Sequence, residues 1–152
     1  MRIVIAAVGK FRREPERELY DAFVKRITWP LTLKEVEERG ALPVPKRKAS
    51  EAAKLLAAVP DGATLVALDE AGTALTSAAF ARQIGRWRDD GTSDLAFAIG
   101  GADGHDATVL ERAQLVLSLG PMTWPHMMVR ALLAEQLYRA QSILAGHPYH
   151  RG

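Results

Sequence analysis

The chain predicts an α/β fold in which helices flank a parallel sheet, and three observations carry that prediction. Strand-like and helix-like periodicities alternate about five times along the sequence. The first strand-like run, "RIVIAAV" (2–8), is continuously apolar and β-branched, as in a strand covered on both faces. The 152 residues show no internal repeat and no linker, and their length suits one domain with one good core.

Taken in order, the elements follow from their patterns. Pro15 suits a first helical turn, and "PERELYDAFVKRI" places Leu19, Phe23 and Ile27 at helical spacing. "LTLKEVE" (31–37) is a weaker, more exposed strand near a sheet edge, and Ser50 caps the helix "EAAKLLAAV". "ATLVALD" (63–69) is the third strand, and Thr76 caps a helix whose inner stripe is Phe80, Ile84 and Trp87. "DLAFAIG" (94–100) is the fourth strand, Asp106 opens a short helix, and "QLVLSL" (114–119) is the fifth strand. The last helix runs from about His126 to Leu144, with Gly146 and Pro148 placed to stop it.

Composition excludes several classes. Hydrophobic residues make up 48% and charged residues 25%, so no long polar tract reads as disorder. The formal charge of +2 does not by itself announce a nucleic-acid binder. Its distribution says more: from Gly120 onward Arg130, Arg139 and Arg151 face one acid, Glu135, and a separate run, Lys46-Arg47-Lys48, lies between prolines. The plainer reading of each is a solvated face. Without cysteine there is no disulfide framework and no thiolate metal site, which is compatible with a cytoplasmic protein. "MRIVIAAVGK" lacks a signal-peptide cleavage region and reads as a strand; no apolar stretch approaches the roughly 18 to 20 residues that span a bilayer.

In parallel α/β sheets ligands gather beyond the carboxyl ends of the strands. Strand three ends "ALDEAG", strand four "IGGADG" and strand five "SLGPMTWPH". Gly100, Gly101 and Gly104 follow the pattern GGxxG and come after the fourth strand, a poor match to the GxGxxG dinucleotide fingerprint, and no GxxxxGK[ST] cradle exists. These glycines are also explained by a tight turn with positive φ. The loop after strand five is more informative. Gly120, Pro121 and Pro125 bracket Met122, Thr123 and Trp124, and residues 119–125 carry no charge. Such a stiff, apolar wall with free backbone groups suits a purine and a neutral ligand body better than a triphosphate. S-adenosylmethionine has that character; the plainer alternative is that Met122 and Trp124 are core residues set in a loop.

Together, "VALDEAG", "FAIGGADG", "LSLGPMTWPH", "VRALLAEQLYRA" and "LAGHPYHR" resemble the small SPOUT-class methyltransferases of the RlmH kind, which methylate N3 of a pseudouridine in large-subunit ribosomal RNA. The resemblance covers most of the chain and is densest from about residue 63 to 151. It implies a SPOUT-type parallel sheet flanked by helices with a C-terminal trefoil knot, in which the last helix is tucked through the loops; sequence rules alone would not suggest a knot. It implies S-adenosylmethionine as cofactor, held by Leu68, Gly100 and the run Leu119, Gly120, Pro121, Met122, Thr123 and Trp124. It further implies 23S ribosomal RNA in the ribosome as partner and a homodimer through the C-terminal helix, with no membrane and no metal. Val129, Leu132, Leu133, Leu137, Ala140, Ile143 and Leu144 cover more than one face of that helix, which supports a dimer independently and also fits a helix buried within one subunit.

An imide N3 must lose its proton before or during in-line attack on a methyl group, so a positioned base is needed. His126, His150 and Arg151 are the candidate catalytic residues, and Asp103 is a weaker base candidate. At a helix N-terminus the cationic form of His126 is disfavoured; a capping or pocket-wall role is its plainer reading. His147 and His150 do not make a metal pair, because Pro148 prevents helical presentation and no third ligand is evident. The ending "GHPYHRG" (146–152) offers Tyr149 for stacking, His150 as a titratable base and Arg151 as a phosphate fork, so the tail is expected to close the active site of a second subunit and grip RNA with Arg130 and Arg139. The plainer reading is a tail packed on its own sheet. Two rival functions are a non-catalytic ribosome-associated RNA-binding module with a relic cofactor pocket, and a flavodoxin-like nucleotide or flavin binder.

Overall fold

The computed structural model describes residues 1–151; the side chains of His150 and Arg151, and the whole of Gly152, lie outside the described residues. Five parallel strands form one sheet: β1 (Arg2–Val8), β2 (Leu31–Val36), β3 (Thr64–Ala74), β4 (Asp94–Ile99) and β5 (Leu115–Ser118), in the order β2-β1-β4-β3-β5. β1 is buried from Ile3 to Val8 because β2 and β4 cover both its edges and helices cover both its faces; Ile5 lies opposite Leu33 on one side and Phe97 on the other. β2, which alternates half-buried and exposed residues, is an edge strand as its weaker pattern foretold.

Helices α1 (Pro15–Val24), α3 (Ser77–Asp89) and α5 (His126–Ala145) share one face of the sheet, where Ile3, Ile5, Phe80, Ile84, Phe97, Leu133 and Leu137 form the main core. Helices α2 (Val44–Ala58) and α4 (Ala107–Arg112) cover the other face over Val4, Leu65, Ala67 and Val109. The Thr76 hydroxyl accepts from the Ala79 amide at 3.0 Å and Asp106 accepts from the Thr108 amide at 3.1 Å, so two of the three expected caps form. Gly146 ends α5 in the left-handed conformation, and Pro148–Arg151 makes a single 3₁₀ turn.

Three elements depart from the sequence expectation. In α1 the buried residue is Tyr20, while Leu19 is 45% exposed; the helix stops at Val24, and Ile27 is buried from the turn that follows. α2 starts at Val44, six residues before Ser50, with proline in its first turn. Ser50 sits within the helix and its hydroxyl bonds Glu38, whose carboxyl is held down at about 2 by that bond, by the Gly40 amide and by Lys54. β3 continues to Ala74, past a register jump: Leu68 pairs with Leu117, and so does Thr73, leaving residues 69–72 as a bulge. Only glycine fits at position 72, since a Cβ there would lie 2.6 Å from the Val116 carbonyl oxygen.

α5 is half-buried or buried along nearly its whole length, between α1 and α3. Leu133, Leu137 and Ala140 lie inside, while Val129, Leu132, Ile143 and Leu144 stay partly exposed. Arg130 is 0% exposed. Its guanidinium donates to Glu35 at 2.7 Å and to the carbonyls of Val8 and Gly9 at 3.2 and 3.0 Å, and it lies 4.4 Å from the Phe11 ring centre. Burial works against the Glu35 charge, but the bonds from Arg130 and the Phe11 amide outweigh it and hold the Glu35 carboxyl below the usual range.

Truncating one partner of such a pair leaves a buried charge or its acceptors unmatched, so Arg130→Ala is expected to lower the unfolding free energy by about 3 kcal/mol in urea denaturation. Because the Glu35 pKa is depressed by folding, its contribution is present above the unfolded value and lost as pH falls through the folded one. The stability difference between the wild type and Glu35→Gln is therefore expected to shrink below about pH 4; a difference unchanged by acid would contradict the pairing.

Candidate active site

The bulge of β3, the turn after β4 and the loop after β5 surround a cleft of about 660 Å3 at the carboxyl edge of the sheet. The bulge supplies Leu68, Asp69, Glu70 and Ala71; the β4 turn supplies Gly100 to His105; the β5 loop supplies Leu119, Gly120, Met122, Thr123 and Trp124, followed by His126 and Val129 of α5. Seven of the eight residues expected around a cofactor thus line one cleft, and Pro121 does not. The wall from 119 to 125 is uncharged, but the cleft as a whole is not: Asp69, Glu70 and Asp103 stand on it together with Lys48 of α2.

Hydrogen bonds clasp the β5 loop to the β3 bulge. The buried Ser118 hydroxyl accepts from the Gly120 amide at 3.0 Å and lies 3.0 Å from the Glu70 carbonyl. The Thr123 hydroxyl donates to the Glu70 carboxylate at 2.7 Å. Gly120 itself has φ +110, and a Cβ built on it would meet nothing within 4 Å, so the wall there is bare backbone facing open space. Met122 is 72% exposed and Trp124 43% exposed, which removes the alternative that both are core residues.

His105 was not anticipated from the sequence, where it is one histidine in a glycine turn. It is buried, and its Nε2 is 3.1 Å from the Ala98 carbonyl, so that nitrogen must carry the proton. Nδ1 is then an acceptor, buried and without a partner among the described residues. Burial pushes the His105 pKa down, against the opposing bond to Ala98. Asp69, the last residue of the expected third strand, and Glu70 after it are not among the residues that the sequence assigns to the site; the cue available is that they are the first charges after an apolar run.

His126 is half-buried at the start of α5, and a Cβ on Gly9 would lie 3.6 Å from its Nε2, so the end of β1 adjoins this side of the cleft. Burial, then the charge of Arg130, push the His126 pKa down, while Glu14 opposes them. The basic residues assigned to RNA separate. Arg130 is a correction: wholly enclosed and committed to Glu35 and two carbonyls, it presents no surface to RNA. Arg139 is partly exposed but paired with Glu135 at 2.6 Å. Tyr149 packs edge-on against Tyr138, with ring centres 4.6 Å apart, and its hydroxyl bonds Glu135 at 3.1 Å. The side-chain roles given to His150 and Arg151 fall outside the described residues.

The family model described as "Predicted SPOUT methyltransferase" matches residues 1–150. The chain belongs to the SPOUT methyltransferase family. Among its SPOUT relatives are proteins named ribosomal RNA large subunit methyltransferase H: 60% identical in Rhodospirillum centenum, 58% in Paramagnetospirillum magneticum and 55% in Rhodospirillum rubrum, each over 99% of this chain and 99% of the relative.

Both cleft histidines of this SPOUT chain are expected to be neutral at pH 7. Titration followed by histidine NMR resonances should place His126 and His105 below the ordinary value of about 6.5. Arg130→Met should move His126 back upward, since it removes a neighbouring positive charge; a His126 midpoint at or above 6.5 in the wild type would contradict the site as described.

Proposed function

We propose that this chain transfers the methyl group of S-adenosylmethionine to N3 of a pseudouridine in the 23S ribosomal RNA of assembled ribosomes. The observation that carries this reading is the cleft itself, a bare-backbone wall facing a lip of carboxylates. Its volume lies in the range of small-molecule sites, about 300 to 1,000 Å3. The open space over Gly120 leaves backbone polar positions for a purine and ribose, while Asp69, Glu70 and Asp103 favour a cationic ligand over a triphosphate. When bound, S-adenosylmethionine supplies a methyl group already made electrophilic by the sulfonium.

The protein's own task is then alignment and proton removal. Leu68, Gly100, Leu119, Gly120, Met122, Thr123 and Trp124 would hold the cofactor, and neutral His126 would take the N3 proton of the pyrimidine. His150 and Arg151 reach the same site from a second copy of the chain. Support for a dimer comes from the partly exposed Val129, Leu132, Ile143 and Leu144 on α5 and from the position of the tail. Tyr149 contacts α5 at Glu135 and Tyr138, whereas the cleft meets α5 at His126 and Val129. Nine residues from 129 to 138 correspond to about 13 Å along a helix, so the Tyr149 ring lies away from the cleft wall of its own chain. A trefoil knot is also proposed: residues 119–125 lead from the β5 edge to His126 beside Gly9 at the end of β1, across the ends of β3 and β4. Action on ribosomes would place the protein in the cytoplasm, and no described helix is long and apolar enough to cross a membrane.

Incubation of the protein with methyl-labelled S-adenosylmethionine and unmodified ribosomes is expected to label 23S RNA at one pseudouridine. Cofactor binding without transfer would favour the relic-pocket module instead. Deleting residues 148–152 should lower transfer by about 10²-fold or more, a loss of the size expected when a reactant is no longer held in line, while dimerisation and cofactor binding persist. Full activity of the truncated protein would remove the tail from the mechanism.

A further inference from the structure

We propose that the β1–α1 loop, residues 9–14, is an RNA-docking loop whose Lys10, Arg12 and Arg13 take the phosphates of the strand entering the cleft. The inference rests on the RNA-methyltransferase reading and goes beyond it by assigning the contact surface. The chain has 20 cations and 18 anions, so a basic surface can arise only by local segregation. Several other cations are neutralised: Arg2 pairs with Asp94 at 2.7 Å, Arg17 with Asp21 at 3.8 Å and Arg130 with Glu35. Lys10, Arg12 and Arg13 are all exposed, and none of them enters an ion pair among the described residues.

The loop that carries them is held rigidly. The Phe11 amide donates to Glu35 at 2.6 Å, its ring lies 5.3 Å from that of Tyr20, and the Arg130 guanidinium covers its other side. Glu14 accepts from the Arg12 amide at 3.3 Å, and a Cβ on Gly9 would lie 3.6 Å from the His126 Nε2, which sets the loop beside the cleft. Three unpaired cations on a fixed loop lose little conformational freedom on binding and match the spacing-tolerant, electrostatic recognition of a phosphate backbone. On the opposite face of the sheet, Lys46, Arg47 and Lys48 occupy the start of α2, where the helix dipole disfavours cations, and Lys48 reaches the cleft. A local electrostatic cost beside a binding cleft is the expected mark of a surface selected for an anionic partner.

The test compares wild type, the triple variant Lys10→Gln/Arg12→Gln/Arg13→Gln, and a control triple Lys25→Gln/Arg82→Gln/Arg86→Gln that removes three exposed cations, also outside any ion pair among the described residues, from the end of α1 and from α3. Binding of full-length protein to unmodified ribosomes and to deproteinised 23S RNA is measured against salt. Losing three phosphate contacts should make the log–log salt slope shallower by about 2 and weaken binding at about 0.1 M salt by roughly tenfold or more, with cofactor affinity unchanged. An unchanged slope, or an equal loss in the control, overturns the proposal. So does weaker binding to ribosomes with binding to naked RNA intact, which would assign the loop to a ribosomal protein. Binding is read without turnover, so a wild type that binds RNA but transfers no methyl group would overturn the enzymatic reading while leaving the loop's contribution measured.

Discussion

A guanidinium enclosed by protein has to be neutralised and hydrogen-bonded where it lies, and at Arg130 that requirement fixes the relation of three distant pieces of chain. Glu35 comes from the edge strand, the Val8 and Gly9 carbonyls from the end of β1 beside it, and Arg130 from the second turn of the last helix. Removing any one leaves unmatched charge or unmatched acceptors, a cost of several kcal/mol. A side effect bears on chemistry: the same charge, together with burial, keeps His126 neutral one helical turn away. The group that anchors α5 to β1 therefore also tunes the candidate base.

Against that anchor the cleft is assembled from irregularities at strand ends. β3 would pair continuously with β5 but for residues 69–72, and their displacement turns Asp69 and Glu70 toward the cleft. Gly72 permits the jump because the Val116 carbonyl occupies the space of a side chain. Ser118 and Thr123 then bind the displaced segment to the β5 loop, so two walls of the cleft move as one. A bulge next to a functional cleft is a structural device, since it aims side chains that a regular strand would point elsewhere.

What could be read from the sequence follows the range of the forces involved. β1, β4 and the edge position of β2 were legible because burial of a strand is written directly into its apolar pattern. The loops that gather at the cleft were legible because parallel topology puts them there. The start of α2 was not: Ser50 is a good cap residue by type, but the helix begins at Val44 because proline is compatible with a first turn and the helix body packs over β1 and β2. The extension of β3 was hidden because its register depends on β5, some forty residues later. Arg130 was misassigned for a related reason. On a helix apolar nearly all round, no periodicity distinguishes an arginine that points inward from one that meets solvent.

The tail illustrates how the same limit applies to function. Its composition suggests a catalytic ending, yet within one chain Tyr149 is spent on Tyr138 and Glu135, and Glu135 in turn holds Arg139. These contacts fasten Tyr149 to α5 at Glu135 and Tyr138, away from the cleft wall at His126 and Val129. A tail placed so can serve a cleft only if a second copy brings one near, and the partly exposed apolar residues of α5 are the surface on which such a copy would rest. With α5 contributing to the cleft wall, to the anchor at β1 and to the candidate dimer face, a substitution on any side of it touches more than one function. That accounts for a helix with almost no purely solvent-facing residue.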